Sequence, residues 1–96
     1  MDDGELDLVF KALAHVERRR ILVSLQQKAN QSLFEICAGS FARDGKTLSR
    51  QTVSQHLDML ERASLIEVTW EGRTKKHSIN EGPLREAIGA LTDDFS

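Results

Sequence analysis

The chain has 96 residues, enough for one small domain around one core. Charged side chains make up 29% and hydrophobic ones 40%, the balance of an ordinary globular chain, and no apolar run approaches the ~20 residues that span a membrane. The acidic start Met1-Asp2-Asp3-Gly4-Glu5 lacks the apolar stretch of a signal peptide, and the single Cys37 cannot form an internal disulfide, so a reducing cytoplasm is expected.

The net charge of −2 argues at first against a polyanionic partner. Its distribution is less discouraging. Residues 43–79 carry seven basic and five acidic side chains, whereas residues 80–96 carry one basic and four acidic. Contact with phosphate requires cations on one face, not an overall excess.

Leu6, Val9, Phe10 and Leu13 fall at i, i+3, i+4 and i+7, predicting an amphipathic helix over about 5–15. A break follows at His15-Val16-Glu17. Ile21, Leu22 and Leu25 then continue a helical stripe to about residue 28, behind Arg18-Arg19-Arg20. That basic run reads either as a phosphate contact or as the solvated start of a helix. Asn30-Gln31-Ser32 is polar and closes the segment.

Ser32-Leu33-Phe34-Glu35 has the spacing of a capping box, in which hydroxyl and carboxylate satisfy each other's backbone amides. Leu33, Ile36, Cys37, Ser40 and Phe41 share one face of the short helix that follows, with Arg43-Asp44-Gly45 as its exit. Ser49 is a second N-cap. Val53, Leu57 and Leu60 recur behind it, predicting a helix over 50–63. Leu65 to Trp70 is rich in β-branched and aromatic residues, Glu71-Gly72-Arg73 turns the chain, and Thr74 to Ile79 returns it. Loops of two, three or four residues all leave plausible pairs in this hairpin. A last helix over 83–95 opens at Gly82-Pro83 and carries Leu84, Ile88, Leu91 and Phe95 on one stripe.

The fold expected is mainly α with one β-hairpin: about five helices and a two-stranded wing in a single domain over 1–96.

The segment 32–79 carries the functional signal. With Val53, Leu57 and Leu60 turned inward, Gln51, Ser54, Gln55, Asp58 and Arg62 point away, and Arg50 and Thr52 flank the first turn. A helix with an apolar back and a hydrogen-bonding front suits the DNA major groove, where glutamine can bond adenine at two positions. The bland alternative is a solvated helix face. Such faces usually mix Glu and Lys, whereas 49–56 has Arg50 as its only charged side chain apart from His56. Beside it the hairpin tip places Arg73, Lys75 and Lys76 within four residues. These cations fit a wing over phosphates or the minor groove, or a charged guard against strand aggregation.

Three segments resemble the ArsR-type family of bacterial winged helix-turn-helix repressors. Residues 10–22, FKALAHVERRRIL, are similar to that family's ALADPTRRRIL. Residues 49–57, SRQTVSQHL, are similar to SQPTVSRHL, and residues 60–66, LERASLI, to LREAGLV. Glu71-Gly72-Arg73 matches the wing tip. The resemblance implies a homodimeric, sequence-specific regulator of transcription, a repressor on a near-palindromic operator and not an enzyme. It makes 50–63 the recognition helix and 71–76 the wing. DNA contacts would come from Ser49, Arg50, Gln51, Thr52, Ser54, Gln55, Arg73, Lys75 and Lys76. The terminal helices would form the dimer interface through Leu6, Val9, Phe10, Leu13, Leu84, Ile88, Leu91 and Phe95. The rival reading is a winged-helix protein–protein module that does not bind DNA.

The sequence also departs from the family pattern. Val16 stands where proline is usual, and Ser40 to Thr47 add about six residues between the two helices of the motif. A solvated loop with some extra helix is expected there, with Arg43 and Lys46 able to approach DNA. Metal-sensing members carry a Cys-x-Cys pair on the third helix or Asp/His pairs on the last. Here Cys37 stands alone on an apolar stripe, and the last helix has no histidine, so no metal or other cofactor is expected. Neither a strained nucleophile elbow nor a Gly-rich phosphate loop is present.

Overall fold

The computed structural model describes residues 1–39 and 48–95. Its elements run α1 (Asp3–Leu13), α2 (Val16–Gln27), α3 (Leu33–Gly39), α4 (Arg50–Arg62), β1 (Ile66–Glu71), β2 (Thr74–Ile79) and α5 (Glu81–Phe95). Five helices and one antiparallel hairpin among the described residues match the expected class. The expected loop at 40–48, including Arg43 and Lys46, lies almost wholly outside the described residues.

Helix α1 starts two residues before the predicted boundary because Asp2 caps it, its carboxylate accepting from the Glu5 amide at 2.8 Å. The helix also ends earlier, at Leu13. A proline is not required for this break. Arg18 donates to the Lys11 carbonyl at 3.1 Å and Arg19 to the Leu13 carbonyl at 2.6 Å, satisfying acceptors that a helix end leaves orphaned. His15 takes extended backbone between the two helices.

The polar stretch expected merely to close α2 has a larger role. Gln31 is buried and exchanges both backbone hydrogen bonds with His77, adding a one-residue bridge to the hairpin's edge. Its side-chain amide donates to the Ser24 and Lys28 carbonyls, at 3.0 and 2.9 Å, and so finishes the end of α2. Asn30 takes φ of 57°, a conformation asparagine tolerates better than most residues.

The Ser32–Glu35 capping box forms as read, with both reciprocal bonds at 3.2 Å. Ile36 is fully buried beyond it, while Leu33 and Cys37 pack half-buried against the core. Ser49 caps α4 by accepting from the Thr52 amide at 3.1 Å. The far end of α4 closes as a Schellman motif. Ser64 donates to Glu61 O and Leu65 to Leu60 O, both at 2.9 Å, with Ser64 at φ 59° and Leu60 against Leu65 beneath.

The hairpin register is settled at Glu71↔Thr74, Trp70↔Lys75 and Thr69↔Lys76, leaving a two-residue turn at Gly72-Arg73. Gly72 alone of the two takes positive φ (61°), the pattern of a type II′ turn, where a Cβ at the first position would be strained.

Ile21, Leu25, Ile36, Val53, Leu60 and Leu65 fill the centre of one core. Helix α5 packs on α1 at the edge of this core, to which it contributes Ala87, its one fully buried described side chain. Among the described residues no helix is long and apolar enough to cross a membrane.

The stripes predicted to meet a partner divide on inspection. Val9 is 1% exposed and belongs to the protomer's own core, which corrects its assignment to an interface. Leu6, Leu13 and Leu84 also pack against that core. Phe10, Ile88 and Leu91 remain on the surface and are joined by Leu8, which the predicted stripe omitted. The Phe95 side chain lies outside the described residues.

Candidate nucleic-acid interface

The first two turns of α4 present a surface without a carboxylate. Arg50, Gln51 and Gln55 are exposed and Thr52 and Ser54 half-exposed, while Val53 and Leu57 anchor the opposite side in the core. The amides of this helix end carry a partial positive charge, which Arg50 reinforces. Acidic side chains appear only further on, at Asp58 and Glu61. Ser49 and Thr52 share a hydroxyl–hydroxyl hydrogen bond of 2.9 Å, so both are already engaged in capping.

The three wing cations, alike in sequence, differ in the fold. Arg73 sits exposed in the turn, and among the described residues no ion pair holds it. Adjacent strand residues face opposite sides, so Lys75 and Lys76 part company. Lys75 turns toward α4, 3.9 Å from Glu61. Lys76 turns toward α3, where its ammonium lies 3.1 Å from Glu35 and 4.0 Å from Glu71, with its side chain only 19% exposed. Lys76 is expected, with Arg73 and Lys75, to grip DNA; in the fold its charge helps to fasten the wing.

Glu35 is the centre of that fastening. One oxygen accepts from Lys28 at 2.9 Å, and the other accepts from Lys76 and from the Ser32 amide. The Lys28 hydrogen bond, then the Ser32 amide, then Lys76 hold its carboxyl down from 4.5 to about 2. The capping box was legible in sequence. That its carboxylate also reaches the wing was not, because β2 lies 41 residues further along the chain.

On the other side of α4, His56 Nδ1 accepts from Arg18 Nε at 3.1 Å. The same guanidinium binds the end of α1, so one side chain spans α1, α2 and α4. Burial, then the Arg18 charge, lowers the His56 pKa below its ordinary 6.5. Arg18 is thus a structural bridge, and neither of the two readings offered for the basic run described it. Among the described residues no three His, Cys, Asp or Glu side chains gather as a metal-ligand set.

The helix-turn-helix, the capped α4 and the hairpin with its tip cations together define a winged helix-turn-helix protein. No protein-family model matches the chain. The regulator CmtR of Mycobacterium tuberculosis, an HTH-type transcriptional regulator, is 32% identical over 91 residues, covering 95% of this chain and 71% of that relative. An ArsR-like transcriptional regulator from Rhodococcus sp. RHA1 is 28% identical and superposes with a TM-score of 0.78 over 94% of this chain and 78% of that one. A homodimeric winged helix-turn-helix DNA-binding domain from Mycobacterium bovis, 23% identical, shares the fold with a TM-score of 0.72 over 99% of this chain and 90% of that one. The chain belongs to the ArsR family of winged helix-turn-helix transcriptional regulators, a non-enzymatic family.

Proposed function

We propose that the protein is a cytoplasmic homodimeric repressor that places α4 in the major groove of double-stranded DNA and the wing over the adjacent minor groove. One observation carries this reading: the first two turns of α4, free of carboxylates and bearing amides and hydroxyls, stand beside an exposed Arg73. Gln51, Ser54 and Gln55 are the base-reading residues, with Arg50 and Thr52 at the entry of the helix. Ser49 holds the helix end that faces phosphate, and Arg73 and Lys75 supply the electrostatic grip.

The dimer forms through α1 and α5, each of which leaves apolar side chains uncovered. Leu8 and Phe10 on α1 and Ile88 and Leu91 on α5 are exposed, on two helices that pack against each other. A two-fold arrangement of such patches is the common way to cover them, and it presents two recognition helices to a near-palindrome. The Mycobacterium bovis neighbour is a homodimeric winged helix-turn-helix DNA-binding domain.

Binding to random-sequence duplex DNA and to fragments selected from genomic DNA, each across a salt series, tests the reading. Salt-dependent binding with a sequence preference is expected. Absence of any DNA binding at low salt would leave a protein–protein module in its place.

A further inference from the structure

An open cleft of about 390 Å³ separates α3, the front of α4 and the inner face of the wing. That volume lies within the range of small-molecule sites. One side is apolar, formed by Leu33, Phe34 and Leu57. Phe34 is 70% exposed, an aromatic ring with no partner in the protomer's core. Arg50, Arg73 and Lys75 bring positive charge to the cleft, against the single carboxylate of Asp58.

A buried polar group also borders the cleft. His77 lines it and is 4% exposed. Its Nδ1 lies 2.9 Å from the Gln31 carbonyl, which can only accept, so Nδ1 carries a proton. Nε2 has no hydrogen-bond partner among the described residues. Buried nitrogens are rarely left so, and in the tautomer with its proton on Nδ1 the ring can accept at Nε2.

We propose that this cleft binds a hydroxylated aromatic carboxylate as an effector that competes directly with DNA. The carboxylate would pair with Arg50 and Arg73, the ring would cover Phe34 and Leu57, and the hydroxyl would donate to His77 Nε2. Inorganic phosphate meets only the cations, and an uncharged phenol only the apolar side and the imidazole. Competition rests on the DNA-binding reading above, because Arg50, Ser54 and Arg73 belong to both surfaces.

Binding is measured first without DNA, so that its failure is separable from failure of the DNA reading. 4-Hydroxybenzoate is titrated into the protein and followed by amide and imidazole NMR signals, with 4-hydroxybenzamide and inorganic phosphate in parallel. Saturable shifts at Leu33, Ser54, Leu57 and His77 are expected, with the amide bound at least about tenfold more weakly. Phe34→Ala should weaken 4-hydroxybenzoate about tenfold and change DNA affinity less than about twofold. No saturable shift by ~10 mM, equal shifts from phosphate, or an unaffected Phe34→Ala variant each overturns the site. In a second arm, saturating 4-hydroxybenzoate should weaken binding to a labelled duplex at least about tenfold. Ligand binding that leaves DNA affinity intact overturns the competition.

Discussion

Arg18 Nε donates to His56 Nδ1 at 3.1 Å, while the same guanidinium holds the Lys11 carbonyl at the end of α1. Protonating His56 converts the acceptor into a second donor facing a cation. The folded-state pKa is lowered, by burial first and Arg18 second, so protons bind the unfolded chain more readily. The His56 contribution is therefore present above about pH 6.5 and is lost as pH falls below it. Denaturant titrations from pH 8 to pH 5 should show this decline, and His56→Gln, which can still accept from Arg18, should flatten it. An unchanged slope in the variant would place the titration elsewhere.

Glu35 gives a second, lower window. Its carboxyl is held at about 2 against an ordinary 4.5, so its stabilisation is complete above pH 4.5 and fades toward pH 2. Glu35→Gln should lose stability at neutral pH but little more between those values. Parallel acid-unfolding curves for the two proteins would contradict this assignment.

The wing cations should separate in a salt series. Arg73→Ala is expected to weaken binding to all duplexes alike and to lower the salt slope by roughly one. Lys76→Ala should leave the slope unchanged, because its ammonium already lies against Glu35 and Glu71. Its effect should appear as a loss of stability of about 1 kcal/mol or less. Equal slope changes in both variants would return Lys76 to the DNA contacts.

Gln51→Ala and Gln55→Ala should each cost ~1–3 kcal/mol on the preferred sequence and little on a scrambled one. Affinity for both duplexes is the measurement. Equal losses on the two would mean that α4 grips the backbone without reading bases.

Ser64 occupies the left-handed position that ends α4, at φ 59°. Glycine avoids the Cβ strain there but loses more freedom on folding, so Ser64→Gly should stabilise by at most about 1 kcal/mol. Thermal melts of the two proteins decide the sign, and a lower Tm for the glycine variant would contradict it.

Ile88, 52% exposed on α5, is expected to lie in the dimer contact. Ile88→Glu should shift sedimentation toward the monomer without lowering helix content, because the side chain lies outside the core. A parent protein that is itself monomeric at micromolar concentration would remove the α1–α5 interface.

Periodicity and capping chemistry made the elements legible because those signals are local. Val53, Leu57 and Leu60 mark the buried side of α4 at helical spacing, and Ser32 with Glu35 needs only four consecutive residues to declare a helix start. The front of α4 was readable for the same reason: once its back is known, 100° per residue locates Gln51 and Gln55. What the tertiary structure alone decided were the partners. Lys75 and Lys76 are neighbours in sequence, yet strand alternation sends one toward Glu61 and the other to Glu35. Val9 and Ile88 both read as partner-seeking stripes, but α1 lies against the core and α5 lies on α1, so one is consumed within the protomer and the other left outside. Arg18 reads as a surface cation until the end of α1 and the side of α4 are brought within its reach. Hydrogen bonds across 38 or 41 residues depend on which surfaces meet, and no local spacing encodes that.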